Sequence, residues 1–402
     1  MRLSNIHNLH DFEIRAKSAL PKCLYSYINN GADDEVTLRR NRQAFEDYAF
    51  VPHMLRDVSG RKQSIELFGH RYDSPFGVSP VGMGAMYAFD GDVALARAAQ
   101  QANIPYALSG ASITRLEKVA QAAPNAWFQA YLPGDREGII RLLQRAEQAG
   151  YRQLVITVDL PVGVNPDRYI RNGFSSPLRP SLGLAMQGIA RPKWLVGTLL
   201  RTFKEGMPHL ENWRAERGAP ILSKNLQKDL KFRDNFNWGH IRMARDAWKG
   251  HLIIKGILSA EDAQQCVACG ADGIIVSNHG GRQVDGAVSP LDVLPSIVAS
   301  AGDLTVMMDS GIRRGSDVLK AIALGAKCVF AGRPFNYALA CAGQQGVAHA
   351  IKILRDEVDR NLALLGLCHP YEMTAAHLLH KAAAWQEPVL PSEPGATTAA
   401  AQ

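Results

Sequence analysis

Within Ser277-Asn278-His279-Gly280-Gly281-Arg282-Gln283-Val284-Asp285-Gly286 an imidazole stands three residues before a guanidinium, with two glycines between them. Imidazole can take a proton near neutral pH, and a guanidinium fork matches the two oxygens of a carboxylate. Glycines let backbone approach a ligand closely. The set suits removal of a proton beside a bound anion. The same residues also suit a polar loop with a capping Asn and an ion-paired Arg. The stretch follows Gly273-Ile274-Ile275-Val276, an apolar run that reads as a buried strand, so it lies where a strand hands over to a loop.

The elements that position this loop are read from the rhythm of the chain. From about residue 74, short apolar runs alternate with amphipathic helices. The predicted strands are 76–79, 106–109, 127–131, 154–159, 252–255, 274–277, 305–309 and 328–331, with helices such as 92–101, 136–149, 260–269 and 316–324 between them. Eight strand-helix repeats predict a (β/α)8 barrel rather than a doubly wound sheet. Ser109, Gln129, Tyr131, Thr157, Asp159, Lys255, Ser277, His279, Asp309 and Arg333 fall at or just past strand C-termini. That is the face on which such barrels build their sites.

Before the barrel, residues 1–73 form an extension in which 8–30 reads as helical, with Pro21 opening a fresh turn and Gly31 ending it. Tyr25 and Tyr27 cannot share a helix face two residues apart. The barrel spans 74–387 and contains an excursion, 160–250, where the alternation fails and seven prolines fall by residue 220. Within it, 191–204 is basic and aromatic-bearing with an apolar centre. It reads either as a lid packed on the barrel or a neighbouring subunit, or as a segment lying on an anionic membrane face. The tail 388–402, rich in Ala, Pro and Thr, reads as disordered.

Composition narrows the classes. A 47% hydrophobic and 21% charged chain of 402 residues is globular, and no apolar run reaches the roughly 20 residues of a spanning helix. The N-terminus lacks a signal-peptide layout, which predicts a cytoplasmic protein that touches at most a membrane face. A net charge of +7 favours anionic partners, yet no nucleic-acid module or extended basic stripe is present. Cys266 and Cys269 form a C-x-x-C without a second pair at metal spacing, and read as core-side helix positions.

With the Ser-Asn-His-Gly-Gly-Arg loop after the sixth barrel strand, the sequence resembles the FMN-dependent L-2-hydroxy acid oxidases and dehydrogenases, the group of glycolate oxidase, L-lactate dehydrogenase and (S)-mandelate dehydrogenase. The resemblance runs from Leu20-Pro21-Lys22 to about Leu367. It includes Asn30-Gly31-Ala32-Asp33-Asp34, Trp127-Phe128-Gln129-Ala130-Tyr131, Lys255-Gly256, Asp309-Ser310-Gly311-Ile312-Arg313-Arg314-Gly315 and Gly332-Arg333-Pro334. Phe236-Asn237-Trp238 looks most like the mandelate and lactate dehydrogenase branch.

The resemblance implies His279 as the base, Asp159 as its orienting carboxylate, Arg282 and Tyr27 on the substrate carboxylate, and Tyr131 on the substrate oxygen. It implies FMN as cofactor, with Lys255 beside the flavin ring where reduction accumulates negative charge. Val81, Gly82, Ser109, Gln129, Thr157 and Ser277 would face the ring and ribityl chain. Asp309, Ser310, Gly311, Arg313, Gly332 and Arg333 would lie about the ribityl-phosphate end, and barrels commonly place phosphate after strands seven and eight. A homotetramer and a small 2-hydroxy acid substrate are likewise implied.

Two departures stand out. Where the family places an Arg seven residues after Asp159, this chain has Pro166: either Arg168 replaces it on the substrate from a shifted backbone, or the second cation is missing. Gly82 occupies a place where the oxidases often carry Ala, which points to a quinone or other non-oxygen acceptor. The alternatives are an oxygen-using oxidase that makes hydrogen peroxide, or a divergent member acting on a larger or peptide substrate.

Overall fold

The computed structural model describes residues 2–163, 170–175, 179–223 and 234–384. The chain opens with α1 (Leu9–Ala19), α2 (Lys22–Asn29) and α3 (Val36–Glu46). A capping box starts α1: the Asn8 side chain accepts from Asp11 N at 3.0 Å, and the Asp11 carboxylate accepts from Asn8 N at 3.2 Å. The helical stretch expected over 8–30 is therefore two helices. Leu20, extended at ψ 152°, and Pro21, at ψ 144°, break it, because the residue before a proline is pushed out of the helical region.

Strand β1 (Tyr48–Phe50) and the hairpin β2 (Ile65–Leu67) and β3 (His70–Tyr72) follow. Then come the eight parallel strands of the expected barrel: β4 (Phe76–Val78), β5 (Ala107–Ser109), β6 (Trp127–Ala130), β7 (Gln153–Thr157), β8 (His251–Ile257), β9 (Gly273–Val276), β10 (Thr305–Met308) and β11 (Cys328–Ala331). Their order is β4-β11-β10-β9-β8-β7-β6-β5, and a parallel bridge between Val78 and Tyr106 joins the two ends. The sheet is thus closed, and the fold is a (β/α)8 barrel.

Side chains alternate across each strand. Ala107, Trp127, Val155, Ile253, Ile275, Met307, Cys328 and Phe330 form the interior cluster, together with Ile65, Leu67 and Tyr72 of the hairpin. The Trp127 indole N–H donates to the Tyr72 hydroxyl at 3.0 Å, so the N-terminal end of the barrel is plugged by the β2–β3 hairpin. Burying Phe330 completely contributes roughly 1.5–3 kcal/mol relative to leaving it in water. Phe128, Leu154, Ile156, Leu252 and Ile254 belong instead to the cluster shared with the outer helices. With one end plugged, the other is left for a ligand.

The outer helices are α4 (Gly91–Gln101), α5 (Leu116–Ala122), α6 (Arg136–Gln148), α7 (Leu182–Ile189), α8 (Trp238–Ala247), α9 (Ala260–Ala268), α10 (Pro290–Ser300), α11 (Gly315–Ala323) and α12 (Arg333–Leu365). Of these α7 belongs to the excursion. Regular structure resumes at Trp238 rather than after 250, because Asn237 caps α8 and Ile241 and Ala244 supply its buried face. Strand β12 (Leu378–His380) pairs antiparallel with β1 and ties the N-terminal extension to the far end of the barrel chain.

The excursion carries α7 and a second helical run, Pro192–Trp194, Leu195–Leu200 and Arg201–Lys204, whose middle section is a π turn. Cys266 and Cys269 are buried, and burial pushes the Cys266 thiol up to about 12. They sit on the core side, poorly suited to thiolate chemistry. The tail 388–402 lies outside the described residues.

Candidate active site

At the end of β9 the chain turns sharply through three residues in the left-handed region: His279 (φ 57°), Gly280 (φ 69°) and Gly281 (φ 73°). A β-carbon at Gly281 would lie 2.6 Å from Leu38 N, so the loop rests directly against the start of α3. The far end of the loop is latched there too, since the Asp285 carboxylate accepts from Val36 N at 3.1 Å and Thr37 N at 2.8 Å. Asn278 and Asn41 exchange side-chain hydrogen bonds of 2.8 and 2.7 Å. Helix α3 therefore holds the 277–286 loop from outside the barrel.

The capping reading of this loop is realised in part. Asn278 does cap the turn, accepting from Gly281 N at 3.0 Å. Arg282, however, makes no ion pair among the described residues; its NH1 donates to the carbonyls of Tyr27 (2.8 Å) and Asn30 (3.2 Å). His279 Nδ1 lies 2.8 Å from the Asp159 carboxylate, which sits two residues beyond the end of β7. A carboxylate only accepts, so Nδ1 carries the proton and Nε2 is left with its lone pair.

A polar network joins four strand ends beneath this pair. Lys255, only 3% exposed, donates to Ser277 Oγ at 2.9 Å and stands 3.4 Å from the Asp309 carboxylate. Ser277 Oγ also accepts from His279 N at 3.0 Å. Asp309 accepts from Ser79 Oγ at 3.0 Å and from Ser310 Oγ at 2.9 Å. The buried ammonium is thus compensated by one carboxylate and oriented by one hydroxyl.

A cleft opens above this network. Of the residues singled out in the sequence, Tyr27, Val81, Gly82, Tyr131, Lys255, His279, Arg282, Asp309, Ser310, Gly311, Arg313, Gly332 and Arg333 line it. Asp159 touches it through His279. Ser109, Gln129, Thr157 and Ser277 do not line it and lie almost wholly buried at the strand ends. Pro166 and Arg168 lie outside the described residues.

One end of the cleft is strongly cationic. Among the described residues Arg333 donates only to backbone carbonyls, those of Ile28 (3.0 Å), Gly280 (2.9 Å) and Asn30 (2.7 Å). Neither Arg313 nor Arg333 pairs with a carboxylate among the described residues. Burial, and then the neighbouring Arg282 charge, push the Arg333 guanidinium well below its ordinary range. An anion is the group that such a pocket lacks. The backbone here is shaped for close approach: a β-carbon at Gly311 (φ 91°) would collide with the Asn41 carbonyl. The loop after β10 and the first turn of α12 meet at this point.

Buried polar atoms give the cofactor test. Gln129 takes Ser109 Oγ (3.2 Å) and Gly110 N (3.3 Å) on its carbonyl oxygen, while its Nε2 has no partner among the described residues. Asn336, in the first turn of α12, lines the cleft with neither amide atom partnered among those residues. Two buried amides, a lysine and two guanidiniums fit a ligand that is flat and hydrogen-bonding at one end and phosphorylated at the other, as FMN is. Sequence reading missed Asn336; its only signal is one polar residue in the apolar run Pro334-Phe335-Asn336-Tyr337. Tyr87, also in the lining, carries no signal at all.

Aromatic walls flank the cleft. Phe174, from the excursion, stacks on Tyr27 with centroids 4.5 Å apart, and the Arg282 guanidinium stands 5.0 Å from the centre of the Tyr27 ring. Tyr25, on the other face of α2, stacks instead on Tyr337 of α12 at 6.0 Å, so the two tyrosines take the separate faces their spacing demands.

Comparison with known proteins gives the family and the fold. The family model of the FMN-dependent dehydrogenases matches residues 16–380. The chain is 39% identical over 363 residues to (S)-mandelate dehydrogenase of Pseudomonas putida, covering 90% of this chain and 91% of that one. It is 41% identical to L-lactate dehydrogenase of Vibrio cholerae, covering 89% and 94%. It is also 41% identical to L-lactate oxidase of Lysinibacillus sphaericus, covering 89% and 88%. A solved structure, described as the monotopic membrane protein (S)-mandelate dehydrogenase, superposes with a TM-score of 0.86 at 37% identity, covering 94% of this chain and all of that one.

Proposed function

The chain belongs to the family of FMN-dependent dehydrogenases, and from that premise we propose that it oxidises an (S)-2-hydroxy acid of the mandelate or lactate type, with His279 as base and a non-oxygen electron acceptor. FMN-dependent oxidation of a 2-hydroxy acid is the activity common to the family. The observation that carries the finer reading is the 2.8 Å contact between His279 Nδ1 and Asp159, which leaves Nε2 as the ring atom able to take a proton.

Arg282, pinned through NH1 to two carbonyls, offers its remaining N–H groups to the substrate carboxylate. Tyr27 adds its hydroxyl to the same carboxylate, and Tyr131 hydrogen-bonds the substrate oxygen. As His279 Nε2 takes the proton, the Asp159 carboxylate stabilises the imidazolium that forms. Lys255 would set a positive charge beside a bound flavin ring, and Ser277 and Asp309 keep that ammonium oriented. Arg313, Arg333 and the amides about Gly311 and Gly332 would hold the FMN phosphate. FMN, when bound, supplies the two-electron acceptor of the oxidation.

The outer part of the excursion supports peripheral membrane contact. Leu182 (79% exposed), Met186 (60%) and Ile189 (68%) stand at helical spacing on α7, and Val196 (63%) and Leu200 (55%) continue the apolar surface. Lys193, Arg201 and Lys204 lie beside them. No helix among the described residues is long and apolar enough to cross a membrane. An anionic membrane face, with a quinone as acceptor, suits this surface; the solved relative is itself described as monotopic. A homotetramer in the cytoplasm, seated on the inner face of the cell membrane, completes the reading.

The relative named L-lactate oxidase gives the second reading, in which oxygen is the acceptor. Lactate, mandelate and bulkier 2-hydroxy acids, offered anaerobically and followed by flavin bleaching, identify the substrate. Under air, dye reduction without peroxide is expected; peroxide released at the rate of flavin turnover makes the protein an oxidase instead.

A further inference from the structure

Tyr131 lines the cleft, and the indole of Trp213 lies against its ring, with centroids 4.8 Å apart and planes inclined by 26°. Both side chains are nearly buried, at 7% and 6% exposure. Trp213 comes from a compact turn of the excursion. That turn closes on itself through Gly218 N to Leu210 O (2.8 Å) and His209 Nδ1 to Gly218 O (2.7 Å).

The turn is bolted to the barrel rather than laid over it. Asn212, fully buried, accepts from Leu116 N at 2.9 Å and donates to the Thr114 carbonyl at 2.8 Å. Glu211 N donates to the Ser112 carbonyl at 3.1 Å. Arg145 of α6 donates to the carbonyls of Glu211 (2.8 Å) and Ala215 (3.2 Å) while gripping Glu117. The indole therefore meets Tyr131 as a fixed plate.

We propose that Trp213 is a positioning residue for the reaction: by stacking on Tyr131 it fixes the direction in which the Tyr131 hydroxyl meets the substrate oxygen. This rests on the proposed role of Tyr131. An offset stack resists rotation of the phenol ring about its own axis of attachment and tilting away from the cleft, so the hydroxyl is aimed before substrate arrives. Such preorganisation acts on the chemical step more than on substrate capture.

The test compares Tyr131→Phe, Trp213→Leu, Trp213→Phe and the double variant Trp213→Leu/Tyr131→Phe as FMN-loaded enzymes. The readouts are the limiting rate of anaerobic flavin bleaching, the half-saturating substrate concentration, and Tm. Trp213→Leu is expected to lower the limiting rate roughly 10-fold, the scale of one neutral hydrogen bond, with a smaller change in half-saturation. Trp213→Phe should recover most of the rate. The double variant should be no slower than Tyr131→Phe alone, because the two substitutions remove one interaction. A wild-type rate in Trp213→Leu, or a double variant slowed by the product of the two single effects, overturns the proposal. A wild-type rate in Tyr131→Phe removes the role of Tyr131 itself and is distinguishable from both. If the leucine variant loses flavin, Trp213→Met serves the same comparison; flavin loss in both, with Tyr131→Phe retaining it, makes Trp213 a scaffold residue and also overturns the proposal.

Discussion

His279 adopts a left-handed backbone conformation that a β-carbon disfavours, and it is held there by one local and one long-range hydrogen bond. Ser277 Oγ accepts from its N–H at 3.0 Å, and Asp159 accepts from its ring at 2.8 Å. Strain of this kind fixes where the imidazole points, which a relaxed loop could not do. His279→Gln keeps the amide close to the ring position but removes the base. The variant should retain FMN, shown by its yellow absorption, while anaerobic bleaching by substrate slows by at least about 10²- to 10⁴-fold. Normal bleaching would put the base elsewhere. Asp159→Asn should slow bleaching less than His279→Gln, since the imidazole remains and only its proton placement and cation are left unsupported.

At the scale of elements, the excursion has two parts with different work. Its outer helices are anchored inward and apolar outward. Gln187 accepts from Cys23 N at 2.9 Å, Arg191 donates to the Leu20 carbonyl at 3.2 Å, and the buried Trp194 indole donates to the Met86 carbonyl at 2.8 Å. These anchors reach α2, which carries Tyr27, and the loop just beyond Gly82. Excising 191–204 would therefore disturb the cleft, whereas the exposed residues can be changed separately. Leu182→Asp with Met186→Asp and Ile189→Asp should abolish sedimentation with anionic vesicles and leave anaerobic flavin reduction within about 2-fold, because surface substitutions away from packing usually cost little. Unchanged sedimentation would assign that face another occupant. The inner part, with Trp213, depends on Arg145 and its partner Glu117. Hydrogen bonds from Arg145 hold the Glu117 carboxyl down at about 2 from its ordinary 4.5. Because the folded value is depressed, this pairing stabilises the protein fully above about 4.5 and fades as pH falls toward 2. Glu117→Gln should lower Tm near neutral pH, and the gap from wild type should shrink as pH drops below 4.5. A gap independent of pH would mean that packing, not the ion pair, was lost.

The whole molecule is a barrel sealed below by Trp127 and the β2–β3 hairpin and left charged above, where neither Arg313 nor Arg333 pairs with a carboxylate among the described residues. Holding those charges out of water costs folding free energy that an anion can offset. Protein stripped of flavin should gain more Tm from FMN than from the same excess of riboflavin, which lacks the phosphate. Equal gains would move the phosphate away from this end. Much of this architecture was legible in the residues themselves. Strand periodicity located all eight barrel strands within a few residues, since a buried parallel strand must be apolar, and the polar residues breaking that pattern marked the functional face. The loop at 277–286 and its family resemblance supplied the cofactor and the class of reaction. What the sequence by itself determined were these local preferences and the identities of the chemical groups. Only the tertiary structure decided which groups meet: His279 reaches a carboxylate 120 residues away, and Arg282 is pinned by carbonyls 255 and 252 residues away. It also split the excursion into an apolar outer face and an inner plate behind Tyr131, and turned Asn336 from one polar residue in an apolar run into part of the cleft wall. The reason is physical: periodicity records which face of an element is buried, but hydrogen bonds and stacks between distant elements exist only once the chain has closed.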